Sequence, residues 1–107
     1  MTYALALTAL SDPMRRTILE RIIEAPRSVG EIAQDLPISR PAVSQHLKVL
    51  KDADLVREER AGTRRIYHAD ATALGELRAY IDDMWRASLG RFAAAAERAA
   101  EREKEAP

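Results

Sequence analysis

The chain has 107 residues, enough for one hydrophobic core and too few for two, so a single domain over 1–107 is expected. Apolar residues make up 47% and charged residues 32%, too apolar for a disordered chain, while 17 basic and 17 acidic residues cancel. Any affinity for a polyanion must therefore come from local charge, and the absence of cysteine excludes disulfides, thiolate metal sites and a cysteine nucleophile. The opening MTYALALTALSDP has a short apolar run with no Lys or Arg before it; it lacks the charged region and length of a secretory signal and reads as a first amphipathic helix, about Tyr3 to Leu10. Asp12-Pro13 marks a second helix start, a carboxylate to cap it and a proline where no N–H donor is needed. This helix runs to about Glu24, with Met14, Ile18, Ile22 and Leu19, Ile23 as adjacent i, i+4 rows of a broad buried face, and Ala25-Pro26 closes it. Ser28-Val29-Gly30-Glu31 matches a capping box, and a short third helix follows to Asp35 with Val29, Ile32, Ala33 and Leu36 inward.

After the tight connection Leu36-Pro37-Ile38, Ser39 caps a fourth helix that continues to about Asp54. Two short helices joined by so brief a turn are a helix-turn-helix arrangement. Leu55 to Glu59 and Arg64 to Ala69 are β-prone runs around Arg60-Ala61-Gly62-Thr63, where Gly62 allows the positive φ a hairpin needs; the hairpin forms a wing. From about Thr72 the chain returns to helix, with Leu74, Leu77, Ile81, Met84, Ser88, Phe92, Ala95 and Ala99 three or four apart and Trp85 and Leu89 beside them. That seam exceeds what a small domain can cover, so pairing with a second subunit through this helix (about 72–103) and the first one is expected. The last stretch, AERAAEREKEAP, has helix composition without an apolar face and is expected to fray. No apolar run approaches roughly 18 residues, so no membrane span is expected and the cytoplasm is the default location.

The fourth helix, SRPAVSQHLKVL, carries the main functional signal. Val43, Leu47 and Leu50 share one face, while Ser44, Lys48, Pro41 and Gln45 fan across roughly 100° to 200° from Val43 on the other. A merely solvated face is usually rich in Glu and Lys. Short polar groups, an amide, a proline and a cation suit close approach to a flat, polar, anionic surface. From Leu36 to Ala69, seven basic residues (Arg40, Lys48, Lys51, Arg57, Arg60, Arg64, Arg65) outnumber four acidic ones (Asp52, Asp54, Glu58, Glu59), an excess of +3 offset by −3 elsewhere. Phosphate neutralisation requires that bias.

The order of these elements, with LTALSDPMRRTILERI, SRPAVSQHLKVLKDADLV and the wing GTRRIYHAD, resembles the ArsR/SmtB family of bacterial winged-helix transcriptional repressors over nearly the whole chain. The resemblance implies a mainly α fold with a small β-hairpin wing: four helices, two strands and a last helix, dimerising through the first and last helices. It implies a homodimer that binds double-stranded DNA at an inverted-repeat operator and represses transcription, often of its own operon. Carried over by position, Ser39, Arg40, Pro41, Ser44, Gln45, His46 and Lys48 of the recognition helix meet bases and phosphates, and Arg60, Thr63, Arg64 and Arg65 of the wing lie near the flanking minor groove. The expected dimer contacts are Tyr3, Leu7, Leu77, Ile81, Met84, Trp85, Ser88 and Phe92. The Cys-Val-Cys of metal-sensing members falls on Ser28-Val29-Gly30, and no histidine follows His68, so the resemblance is to the metal-independent branch, with no metal and no cofactor.

Blander readings compete at several positions. His46 lies near the edge of the apolar face, where a packed or phosphate-contacting histidine is commoner than a ligand. A catalytic pairing of Ser44 with His46 fails because residues two apart on a helix point about 200° from each other. Met84 and Trp85 fit a dimer core better than an effector pocket. A winged-helix module that binds protein instead of DNA is the remaining alternative, and the effector, if one exists, is unknown.

Overall fold

A computed structural model describes residues 3–105. Its elements are α1 (Tyr3–Leu10), α2 (Pro13–Glu24), β1 (Arg27–Ser28), α3 (Val29–Asp35), α4 (Arg40–Asp52), β2 (Val56–Ala61), β3 (Arg64–Ala69) and α5 (Ala71–Glu105). The chain divides into two compact units, one through Gly75 and one from Glu76 onward. No described helix is long and apolar enough to cross a membrane.

In the first unit α4 packs against α1, α2, α3 and β2, and its Val43, Leu47 and Leu50 are fully buried. Each such side chain contributes about 1.5–3 kcal/mol by leaving water, which anchors α4 firmly in the unit. Ile18, Leu19 and Ile22 of α2 and Ile32 of α3 complete the core around it. Ile23, expected inward, is 55% exposed. It stands about 100° round the helix from Ile22, beyond the width of the buried stripe. On α3 only Ile32 is fully buried; Val29, Ala33 and Leu36 are half-buried, as suits a seven-residue helix at the surface.

Local side chains set the helix ends. Asp12 accepts from the Arg15 N–H at 3.0 Å. Ser28 and Glu31 form the reciprocal capping box, and Ser39 accepts from the Ala42 N–H at 3.3 Å with Pro41 in the first turn. At its C-terminus α4 stops at Asp52, short of the expected Asp54. Asp54 takes the left-handed conformation (φ 61°), the Leu55 N–H donates to the Leu50 carbonyl at 3.0 Å, and the Asp54 N–H donates to the Lys51 carbonyl at 2.9 Å. This is a Schellman cap in which aspartate, one of the few side chains that tolerates positive φ, replaces glycine, with buried Leu50 and Leu55 as its apolar contact.

The sheet has three strands in the order β1-β3-β2, all antiparallel. The hairpin turn is shorter than the expected four residues: Ala61 pairs with Arg64, leaving Gly62 and Thr63 as the turn, with Gly62 at φ 65°. Glycine in that conformation at the first of two turn positions matches the right-handed twist of the flanking strands. Arg60 consequently lies in β2, opposite Arg65. The third strand, β1, is absent from the sequence expectation. Two residues carry no alternation, and the serine in it is already accounted for as a helix cap.

In the second unit, α5 stays helical through Glu105 rather than fraying over the final turns; Ala106 and Pro107, the end of the segment expected to fray, lie outside the described residues. Leu77 is only 4% exposed, whereas Ile81, Met84, Trp85, Leu89 and Phe92 are 45%, 46%, 62%, 46% and 73% exposed. Of the expected dimer contacts on this helix, Leu77 is therefore buried while the others are exposed. On α1, Leu7 is exposed and Tyr3 half-buried.

Candidate nucleic-acid interface

The buried stripe of α4 turns the helix so that Arg40, Pro41, Ser44, Gln45 and Lys48 are all exposed, while His46 is half-buried at the margin. The exposed groups near the start of the helix are short or unbranched, so the backbone there can approach a flat surface closely. Lys48 donates to Asp52 one turn on, at 2.8 Å; that hydrogen bond, and then the carboxylate's charge, raise the lysine's pKa above its ordinary value. Arg40 lies over the first turn of α3. A Cβ on Gly30 would stand 3.0 Å from its Nη2, so the missing side chain makes room for the guanidinium.

Strand register divides the wing arginines between two faces. Arg60, Arg65, Glu58 and Tyr67 occupy one face of the hairpin, and Arg64 with Ile66 the other. Directly opposed arginines such as Arg60 and Arg65 repel one another, so the pair is a cost that an approaching polyanion would relieve. Glu58 answers part of that charge: it meets Arg65 at 3.4 Å and Lys51 of α4 at 3.1 Å, with the Tyr67 hydroxyl at 3.5 Å. The Lys51 hydrogen bond, aided by the charges of Lys51 and Arg65, holds the Glu58 carboxyl below the usual glutamate range. Glu58 therefore ties the wing to α4. On the other face Arg64 donates to Ser28 Oγ at 3.1 Å and is paired with Glu31. His68 meets Glu59 at 2.9 Å. Among the described residues Arg40, Arg57 and Arg60 make no ion pair.

Two open grooves run between these elements. One, about 440 Å³, lies between the start of α3, Arg40 and the wing residues Thr63, Arg64 and Arg65. The other, about 610 Å³, lies between α4 and the wing, lined by Ser44, Lys48, Lys51 and Arg65 among others. The structure thus gathers Arg40, Ser44, Lys48 and the wing's Thr63, Arg64 and Arg65 along two grooves of the first unit that share Arg40 and Arg65.

The roles of Glu31, Glu58 and Gly30 are not visible at sequence level. Glu31 is legible only as a capping residue, and Glu58 only as one charge among several, because their partners depend on strand register. Lys48 and Asp52 do carry a sequence signal, their i, i+4 spacing. At residues 28–30, where the resemblance would put the cysteines of a metal-sensing member, Ser28 is engaged by its own cap and Gly30 has no side chain, so the residues present do not fit a metal. Among the described residues no group of three or more His, Cys, Asp or Glu side chains is placed to hold one.

Residues 10–59 match the model of a helix-turn-helix domain. The chain is 54% identical over 88 residues to the HTH-type transcriptional regulator Rv2034 of Mycobacterium tuberculosis, covering 82% of each protein. It is 38% identical over 66 residues to the transcriptional repressor SdpR of Bacillus subtilis, covering 62% of this chain and 73% of that one. Among solved structures, an ArsR-like transcriptional regulator from Rhodococcus sp. RHA1 superposes with a TM-score of 0.78 at 31% identity, over 85% of this chain and 86% of that one.

Proposed function

Because the chain belongs to the ArsR/SmtB family of winged helix-turn-helix transcriptional regulators and is a DNA-binding regulator, we propose that it acts as a cytoplasmic homodimeric repressor, of its own operon among others, at an inverted-repeat operator. The observation that carries this is the exposed face of α4, polar and short where a solvated face would be acidic and long, flanked by unpaired Arg40 and Arg60. Gln45 offers its amide to a base edge, in an arrangement suited to the paired donor and acceptor of adenine. Pro41 and Ser44 let the backbone sit close. Arg40 takes a guanine or a phosphate, and Ser39 and His46 flank it at the backbone. Lys48 and the wing's Arg60, Thr63, Arg64 and Arg65 contact phosphates and the neighbouring minor groove, fixing register without reading sequence.

The self-association face comprises Ile81, Met84, Trp85, Ser88 and Phe92 of α5, with Tyr3 and Leu7 of α1. A twofold axis between subunits sets the two α4 helices on half-sites about 34 Å apart, or a small multiple of that. With no ligand set at residues 28–30, repression runs independently of metal. The test is retention of random duplex DNA at low and high salt, followed by selection of bound sequences from a random duplex pool. The proposal expects strongly salt-sensitive retention and enrichment of an inverted repeat. A protein-binding module with the same fold would show neither.

A further inference from the structure

The carboxylate of Glu31 has two jobs. Its Oε1 accepts the Ser28 backbone N–H at 3.3 Å and the Ser28 hydroxyl at 3.0 Å, which closes the cap of α3, and the same oxygen also takes the Arg64 guanidinium from across the sheet. The hydroxyl of Ser28 supports Arg64 as well. Arg64 and Glu31 remain 58% and 46% exposed as side chains, so water and any approaching anion reach both partners. Ser28, through both its hydroxyl and its backbone N–H, and then Arg64 lower the Glu31 pKa below its ordinary value, so the group is charged at neutral pH.

We propose that Glu31 is the protein's internal competitor for DNA: it holds Arg64 over the start of α3 in the free wing, and a backbone phosphate must displace it before Arg64 can bind DNA. This rests on the DNA-binding reading above. An exposed ion pair is weak, whereas a guanidinium on a phosphate is a charge-assisted and frequently bidentate bond, so the exchange favours DNA without being free of cost. Glu31 is accordingly a positioning residue that preorganises Arg64 and also lowers affinity for every duplex, irrespective of sequence.

The substitution that isolates this is Glu31→Gln. A glutamine at the third helical position still completes a capping box, so the cap survives while the charge goes. Thermal unfolding of the full chain checks that it does, and Ser28→Ala, which removes the serine's half of the cap together with its hydrogen bond from Arg64 but keeps the carboxylate, reports what loss of that hydroxyl does with the charge still in place. Binding to a random duplex and to a selected operator, each over a salt series, should tighten in Glu31→Gln by a factor of about two to five per engaged wing on both DNAs. The slope of log affinity against log salt should steepen by up to about 0.9 per wing. In an Arg64→Ala background, Glu31→Gln should change neither. The inference is overturned if Glu31→Gln leaves wild-type binding unaltered, or if its gain persists without Arg64, for then only the general charge matters. Failure of wild-type protein to bind any duplex at low salt would instead remove the DNA-binding reading, and this inference with it.

Discussion

Trp85→Glu should separate the folded subunit from its dimer. Trp85 is 62% exposed on α5, so its replacement disturbs little inside one chain. A tryptophan presents roughly 200 Å² to a covering surface. At 62% exposure, on the order of 120 Å² is left for a partner, which at ~25 cal/mol per Å² is about 3 kcal/mol per subunit. A twofold interface counts it twice, about 6 kcal/mol, or roughly four decades in the dimer dissociation constant; this is an upper figure, because interfaces do not convert all buried area into affinity. A carboxylate enclosed at the contact adds its own desolvation cost. Sedimentation equilibrium over nanomolar to micromolar protein, with circular dichroism alongside, should show a wild-type dimer and a helical Trp85→Glu monomer. Leu77→Glu, eight residues earlier on the same helix but 4% exposed, should lose helical signal and thermal stability instead. A wild-type protein that is monomeric at micromolar concentration, or a Trp85→Glu variant that keeps the wild-type mass, refutes the assignment of this face.

Gln45→Ala should cost about 1 to 3 kcal/mol on the selected operator while barely changing binding to random duplex, as measured by competition titration; equal losses on both would make α4 only another polar surface. Zn²⁺, arsenite or chelators should leave operator affinity unchanged within error, and a tenfold shift with low-micromolar Zn²⁺, about 1.4 kcal/mol of coupling, would show that ligands had been overlooked. The Glu58 carboxyl is held below the glutamate range near 4.5, first by the hydrogen bond from Lys51, so it binds a proton less readily folded than unfolded. Its stabilising effect is therefore fully present above that range and is lost as pH falls through the folded-state value. Glu58→Gln should flatten the acid limb of the stability profile and leave the slope above pH ~6 unaltered; identical acid limbs in urea titrations would contradict it.

Much of the fold is legible in the sequence because helix ends are local events. Asp12-Pro13, Ser28 with Glu31, and Ser39 with Pro41 each announce a helix through residues within one turn, and each is where the structure has it. The failures are non-local or sub-periodic. Asp54 ends α4 by adopting positive φ, a choice enforced by the burial of Leu55 rather than by composition. Strand β1 exists only because β3 has a free edge for two residues to pair with. Along α5, periodicity marks Leu77 and Met84 alike; it cannot say that the first is 4% and the second 46% exposed. The polar face of α4 was readable from a helical wheel, but the partners of the wing arginines were not, because register decides that Arg64 meets Glu31 while Arg65 meets Glu58.

Those partners change what the local excess of +3 means. Of the seven cations between Leu36 and Ala69, Lys48, Lys51, Arg64 and Arg65 are held by Asp52, Glu58 and Glu31, which leaves Arg40, Arg57 and Arg60 unpaired among the described residues. Three free arginines per subunit become six in a dimer. About six phosphate contacts is the low end of the range in which a fourfold rise in salt weakens DNA binding by roughly a thousandfold, and half that number would make a monomer a feeble ligand for any duplex. The pairs that hold the other cations are solvent-exposed on at least one side, and such pairs are worth little, so phosphates can recruit those side chains once the helix has docked. In the proposed dimer, DNA affinity and self-association are coupled through charge as well as through geometry: disrupting the face around Trp85 halves the number of free cations that a single binding event can bring to DNA.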